Sequence, residues 1–274
     1  MKDKIVSCVG LDLGGYAVKC VEMTRSKEGV QVQRAHVLPT AGSTLPETLK
    51  SLNPAALKHV HISVSGPSVL IRRITLPSMT ATELKSAIRF EAESQIPFPI
   101  DDCILDFQIL KQNPAKKNME VILVAAKKEL VQNRLKQLSE LGIYPELVDA
   151  DAFGVFNADE TLAEGADKKH SLLNVGHTES LFIVVHEGLP FFVREIPFGG
   201  LEVTKALAEM KGISESEADT LKKAKPADLL ADLKTATQKG FERLTEELKH
   251  SIDYFENEVG DDLKSLGLGG GGAL

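Results

Sequence analysis

What most constrains the fold of this chain is one pattern that it uses twice. Gly10-Leu11-Asp12-Leu13-Gly14-Gly15 and Leu172-Leu173-Asn174-Val175-Gly176-His177 each run from an apolar strand through an acid or amide and one apolar residue into a glycine turn. A second apolar run follows each, over 17–23 and 181–185, so each reads as a β-hairpin with a tip of bare backbone. A glycine turn lets N–H groups approach phosphate oxygens with no Cβ in the way, and a preceding Asp can hold a hydrated divalent cation. Any hairpin also favours Gly or Asp at its turn, so one such segment reads equally well as an ordinary connection. Recurrence in two halves of the chain favours the phosphate reading.

Composition narrows the class. The 274 residues suffice for a sizeable core in two lobes, and 43% hydrophobic with 26% charged residues is the profile of a folded globular protein. A net charge of −7 argues against a nucleic-acid binder, which needs a basic surface to neutralise phosphates. Cys8, Cys20 and Cys103 lie in apolar runs without C-x-x-C spacing and read as reduced, buried thiols. No signal-peptide core and no run of membrane-spanning length is present, so the expected location is cytoplasmic, with any membrane association made through a partner.

Along the chain, residues 5–38 read as three strands, followed by a weak helix after Pro46 and a strand over 59–65. Gly66-Pro67 breaks the pattern. A new unit then reads as strand 69–76, helix 80–95, strands 104–110 and 120–126, and helix 130–141, stopped by Gly142. Thr80-Ala81-Thr82-Glu83 is a capping-box signal for the first of these helices. Leu84, Ala87, Ile88 and Ala92 share its buried face and Phe90 points away from them, either to pack on a neighbouring domain or to dock a peptide. The second helix sets Val131, Leu135, Leu138 and Leu141 on one side, and both helices read as sheet covers. Residues 145–158 return to the first lobe, 160–170 form a polar link, and 201–260 are helical with a solvated, charged face. Gly267 and Gly269 to Gly272 close the sequence. On composition they read as a flexible tail, whereas their place after two phosphate-type hairpins suggests a third glycine loop.

In order along the chain, these segments resemble the actin-like ATPase superfamily and, within it, the PilM family of type IV pilus assembly proteins. The resemblance is carried by Gly10-Leu11-Asp12-Leu13-Gly14 with Val18-Lys19, by Leu76-Pro77-Ser78-Met79 with Glu83-Leu84, and by Glu91-Ala92-Glu93-Ser94-Gln95-Ile96-Pro97-Phe98. It continues through Val124-Ala125-Ala126-Lys127-Lys128-Glu129, Val148-Asp149-Ala150-Asp151-Ala152-Phe153, Ile196-Pro197-Phe198-Gly199-Gly200 with Thr204, and Ser251-Ile252-Asp253-Tyr254-Phe255. It implies an α/β, actin-like (ribonuclease H-like), two-lobed fold with an inserted strand-helix-strand-strand-helix subdomain like that of the cell-division protein FtsA. The implied division is a first lobe over 1–67 and 145–170, the insert over 68–144, a second lobe over 171–198 and 261–274, and its helical subdomain over 199–260.

The resemblance also implies a site for ATP with Mg2+ between two lobes. Asp12, Gly14, Gly15 and Tyr16 fall in its first phosphate loop with Lys19 close behind, and Asp12 is the metal candidate. Asn174, Gly176 and Ser180 fall in the second loop, Gly200 starts the helical subdomain, Lys205 and Lys222 lie near the base, and Gly269, Gly270, Gly271 and Gly272 form the adenosine loop. Tyr16 is a departure, bulky where a small hydroxyl is common. Asn174 is another, because an amide supplies no negative charge and cannot act as a base, so slow or absent hydrolysis is expected. Family members continue beyond the adenosine loop, and weak ATP binding is the expectation for a sequence that ends at Leu274.

For function, the resemblance implies a cytoplasmic scaffold of the pilus assembly platform. It would bind the cytoplasmic tail of a PilN-like inner-membrane protein in a groove between the first lobe and the insert. Other platform proteins and the assembly ATPase are further implied partners. Phe90, Ile96 and Phe98 are the candidate apolar contacts for that tail, although Ile96-Pro97-Phe98-Pro99 reads equally as a rigid helix stop packed in a core. The rival readings are an active actin-like ATPase or kinase, an FtsA-like membrane-associated filament protein, and the cytoplasmic part of a GspL-like secretion protein. His177 reads as a turn residue rather than a catalyst.

Overall fold

The computed structural model describes residues 6–27, 29–40, 43–162 and 167–273. The first residue of the first expected strand and the middle of the expected polar link lie outside the described residues. The chain divides into two compact units, Met1–Ala158 and Asp159–Leu274.

The first unit begins with β1 (Val6–Leu13), β2 (Ala17–Ser26) and β3 (Gly29–Pro39), then α1 (Leu45–Lys50) and β4 (Val60–Val64). It continues with β5 (Val69–Pro77), α2 (Ala81–Glu93), β6 (Cys103–Asn113), β7 (Asn118–Lys127), α3 (Lys128–Ser139) and β8 (Leu147–Ala150), and α4 (Asp151–Leu162) runs past its last residue into the second unit. Among the described residues its strands form one sheet in the order β3-β2-β1-β4-β8 and a second in the order β5-β7-β6. The strand-helix-strand-strand-helix order expected for the insert is β5-α2-β6-β7-α3.

Local chemistry sets the ends of α2. The Thr80 side chain accepts from the Glu83 N–H while Glu83 reaches back to the Thr80 N–H, closing a capping box. Leu84, Ile88 and Ala92, one turn apart, go into the core of the smaller sheet with Met119, Val121 and Leu123. α3 begins two residues before its expected start, and its C-terminal half packs elsewhere. Leu138 joins Val9, Leu11, Val18 and Ile62 in the core of the larger sheet, with Leu135 and Leu141 against it. Strand order thus groups α3 with the smaller sheet, and its apolar stripe covers the larger one.

The second unit runs β9 (His170–Val175), β10 (Ser180–His186), β11 (Leu189–Ile196), α5 (Gly200–Lys211), α6 (Glu215–Ala224), α7 (Leu230–Val259) and β12 (Leu266–Gly269). Its sheet has the order β11-β10-β9-β12, with β12 parallel to β9. β10 is buried along nearly its whole length, as its unbroken run Leu181 to Val185 requires. α7 covers one face of the sheet with Leu244 and Phe255 and lends Ala236 to a second core with α5 and α6.

Both units share a plan. Three consecutive antiparallel strands are joined on the far side of the first by a strand parallel to it, β4 beside β1 and β12 beside β9. This explains why one sequence pattern occurs twice. It also decides between the two readings of the final glycines. Residues 266–269 are a sheet strand rather than a tail, paired in parallel with β9, and a Cβ at Gly267 would come within 2.9 Å of the end of the Leu172 side chain.

Candidate functional site

In the first unit, the β1–β2 turn brings Asp12 and Lys19 directly opposite each other. Lys19 Nζ donates to Asp12 Oδ2 at 2.6 Å, with both side chains about half exposed. A Cβ on Gly14 would lie 3.0 Å from the Ala17 carbonyl, whereas one on Gly15 would meet nothing within 4 Å. Gly14 therefore sits in the tight part of the turn, and the Cβ side of Gly15 faces open space. Thr40 ties the tip to the end of β3, its hydroxyl donating to Gly15 O at 2.8 Å and its N–H to Tyr16 O at 2.9 Å. Tyr16 is half-buried at this tip.

In the second unit, the β9–β10 turn, the start of α5 and the loop after β12 interlock. Gly176 N–H donates to Glu179 O at 2.9 Å, Gly200 N–H to Gly176 O at 2.9 Å and Leu201 N–H to His177 O at 2.8 Å. The first amides of α5, which at a free helix start would face an anion, are thus engaged by the hairpin turn. Added Cβ atoms would come within 2.5 Å of Glu179 O at Gly176, 2.3 Å of His177 at Gly199 and 2.6 Å of Val175 Cγ1 at Gly272. Gly270 combines a φ of +89° with a Cβ position 2.2 Å from Val175 O. These glycines allow backbone to pack on backbone. Gly271, like Gly15, has nothing within 4 Å of its Cβ position.

Lys222, on α6, reaches this cluster. Its Nζ donates to Gly200 O at 2.9 Å and Thr204 Oγ1 at 2.6 Å, and it lies 3.3 Å from Asp219. Burial lowers the pKa of His177 from the ordinary histidine value, and the Lys222 charge lowers it further. Lys205 is exposed and pairs with Glu202 at 2.9 Å on its own helix. Asn174 lies opposite Leu181 and beside Gly269, its Oδ1 3.7 Å from the Gly269 Cβ position.

Two expected site residues are corrected. Ser180 is 1% exposed and its hydroxyl donates to Phe198 O at 2.8 Å, so it fastens β10 to the end of β11 and presents nothing to a phosphate. Ile96 is 6% exposed in the core of the smaller sheet and is a packed helix stop, not a docking contact. Of the other two docking candidates, Phe90 is 75% exposed. Phe98 packs partly against the same core, with Lys127 Nζ 4.4 Å from its ring centroid.

Thr40 at the first unit's turn and Asp219 beside Lys222 in the second unit's cluster had not been singled out. Asp219-x-x-Lys222 on one helix is a readable pairing signal. Thr40 gives none, since it meets its turn only through the fold. The bare backbone at Gly15 and Gly271 fits the approach of a phosphate in each unit. At the first turn the half-exposed Asp12 is paired with Lys19, and the matching position in the second turn is an amide, so these donors would hold a hydrated Mg2+ only together with a ligand's phosphates.

The sequence model of the family described as Type IV pilus assembly protein PilM matches residues 10–274. The structure of a PilM-PilN type IV pilus biogenesis complex matches at 26% identity and a TM-score of 0.81, covering 97% of this chain and 82% of that chain. The ethanolamine utilization protein EutJ from Carboxydothermus hydrogenoformans matches at 13% identity and a TM-score of 0.52, covering 98% of this chain and 77% of that one. The latter likeness is one of fold alone, and the fold is actin-like.

Proposed function

The chain belongs to the type IV pilus assembly protein PilM family, and from this premise we propose that it is a scaffold of the pilus assembly platform that binds the cytoplasmic tail of a PilN-like inner-membrane protein. The observation that carries this reading is the likeness, over nearly the whole chain, to a protein solved in complex with PilN. Among the described residues no helix is long and apolar enough to cross a membrane. In this reading the chain meets the inner membrane through its partner.

Phe90 is our choice for an anchor. An aromatic side chain left 75% exposed on α2, off the stripe of Leu84, Ile88 and Ala92, keeps apolar area available for a partner. Burying it against a peptide is worth about 1.5–3 kcal/mol. The partly covered ring of Phe98 is the second candidate. Calorimetric titration of a synthetic PilN-like tail peptide tests this. Saturable binding that weakens about tenfold in Phe90→Ala with folding intact supports the reading, since about 1.4 kcal/mol is tenfold. Absence of binding by the wild-type chain contradicts it.

For nucleotide, the actin-like fold and the bare backbone at Gly15 and Gly271 support phosphate recognition in each unit. We propose that ATP is a ligand rather than a fuel. Asp12 is engaged by Lys19, and Asn174 supplies no base.

A further inference from the structure

The two units repeat one plan, so β3 and β11 are matching strands, each at the end of an antiparallel run and each at a sheet edge. The two edges differ. β11 is half-buried or buried along its length and carries Pro190. Side chains of α7 cover it, where Arg194 pairs with Glu247 and donates to Ser251 Oγ at 3.1 Å, and the Phe192 and Tyr254 rings lie 5.8 Å apart. β3 is exposed at every residue except the half-buried Leu38, and among the described residues it has a neighbouring strand on one side only. The unpaired N–H and C=O groups of such an edge are a template for a further strand. A bulge at Gln33 interrupts the edge, and from Arg34 to Pro39 it runs on in register with β2. We propose that this second stretch of β3 is a docking site for an extended acidic peptide, which joins the sheet as a further strand.

Register sets what that strand must look like. Arg34 and His36 face Glu22 and Cys20 across the pair, on the side where Cys20 enters the core, whereas Ala35 and Val37 face Val21 and Lys19 on the opposite side of the sheet. A strand added in either direction sets alternate side chains beside Arg34 and His36, and the ones between them beside Ala35 and Val37. Val37 is 66% exposed, so the second set is apolar. Charge selects acids for the first set. β3 contains no Asp or Glu, and over residues 17–39 Lys19, Arg25, Lys27 and Arg34 outnumber Glu22 and Glu28 in a chain of net charge −7. The Arg34 guanidinium stands 3.8 Å from Glu22 with its side chain 76% exposed, which leaves room for a second carboxylate.

The same observations separate this occupant from two others. A second copy of β3 brings another Arg34 and no carboxylate to meet the first. An anionic lipid surface answers the charge but not the alternating donors and acceptors of the strand edge. An acidic peptide answers both, with main-chain hydrogen bonds giving affinity and alternate side chains giving selectivity.

The probe is a fluorescein-labelled peptide in which glutamate alternates with valine, and neither the PilN reading nor the nucleotide reading enters its design. Binding to the full chain is followed by anisotropy, and protection of the β3 amides by hydrogen exchange with mass spectrometry. Saturable binding with added protection over residues 29–39 is expected, and the same peptide with lysine in place of glutamate is expected not to bind. Arg34→Glu is expected to bind about tenfold more weakly at low salt, because the reversal removes an attraction and adds a repulsion. Val37→Lys is expected to weaken binding as well, with circular dichroism confirming that both variants are folded. Absence of binding, no added protection over β3, or equal affinity in Arg34→Glu would each overturn the proposal. A dimer of the free chain with β3 already protected would overturn it in favour of a second copy, and pelleting with anionic vesicles that Arg34→Glu abolishes would overturn it in favour of lipid.

Discussion

Lys222 Nζ donates to Thr204 Oγ1 at 2.6 Å, a bond that joins α6 to α5 one turn beyond Gly200, whose carbonyl Lys222 also reaches. Thr204 is 2% exposed and its hydroxyl also donates to Gly200 O at 3.2 Å. Thr204→Val removes a charge-assisted partner from Lys222 while keeping the volume. The expected loss is about 1–3 kcal/mol of stability, read as a lower urea midpoint at unchanged m-value.

Glycines of the two loops should separate by role. Gly270→Ala adds a Cβ on a backbone at φ +89°, 2.2 Å from Val175 O, so the loop after β12 must leave the hairpin. A loss above about 3 kcal/mol is expected, of the size that marks a steric or strained-backbone cause. Gly15→Ala meets nothing within 4 Å and should change stability by less than about 0.5 kcal/mol. The same substitution should weaken binding of inorganic triphosphate, measured by calorimetry. Equal loss of stability in both variants would contradict this division.

His177 offers a pH readout. Its pKa is lowered by burial first and by Lys222 second, so the folded state favours the neutral ring. The unfolded chain then binds more protons between the depressed value and the ordinary value near 6.5, and the contribution to stability declines as pH falls through that window. In Lys222→Met the titration midpoint of the His177 ring, followed by NMR, should move upward. A downward move would show that Lys222 acts on His177 mainly by other means.

The capping boxes set an acid limb. Glu83 and Glu217 have pKa values lowered by their hydrogen bonds to Thr80 and Ser214, for Glu83 chiefly the backbone N–H and for Glu217 chiefly the side chain. A depressed carboxylate pKa stabilises the fold above the ordinary glutamate value and loses that contribution as pH falls through the folded value. Glu83→Gln should therefore flatten the fall in thermal midpoint below about pH 4.3. A slope identical to the wild type would remove Glu83 from the account.

Much of this was legible in the sequence where a local rule controls the outcome. The repeated turn could be read because alternating apolar runs and glycines set hairpins by short-range geometry, and the α2 start because Thr80 and Glu83 are three apart. The Asp12–Lys19 pair was also within reach, since residues equidistant from a hairpin turn face each other. What could not be read depended on distant packing. The direction of the Ser180 hydroxyl follows from where Phe198 returns, and the role of Thr40 from where β3 ends. Ile96 kept two readings because an apolar residue before Pro97 suits a core or a groove equally. The strand at 266–269 was obscured by its own glycines, which lack strand propensity, and it forms through its pairing with β9.

The central claim is recruitment through a partner's tail, and vesicle co-sedimentation tests it most directly. Vesicles carry either the full-length PilN-like protein or the same protein without its cytoplasmic tail, and the chain is added without nucleotide. The account predicts that the wild-type chain pellets with the full-length protein alone, and that Phe90→Ala shows a markedly smaller pelleted fraction. Equal pelleting with tail-less vesicles, or none with either, would contradict it.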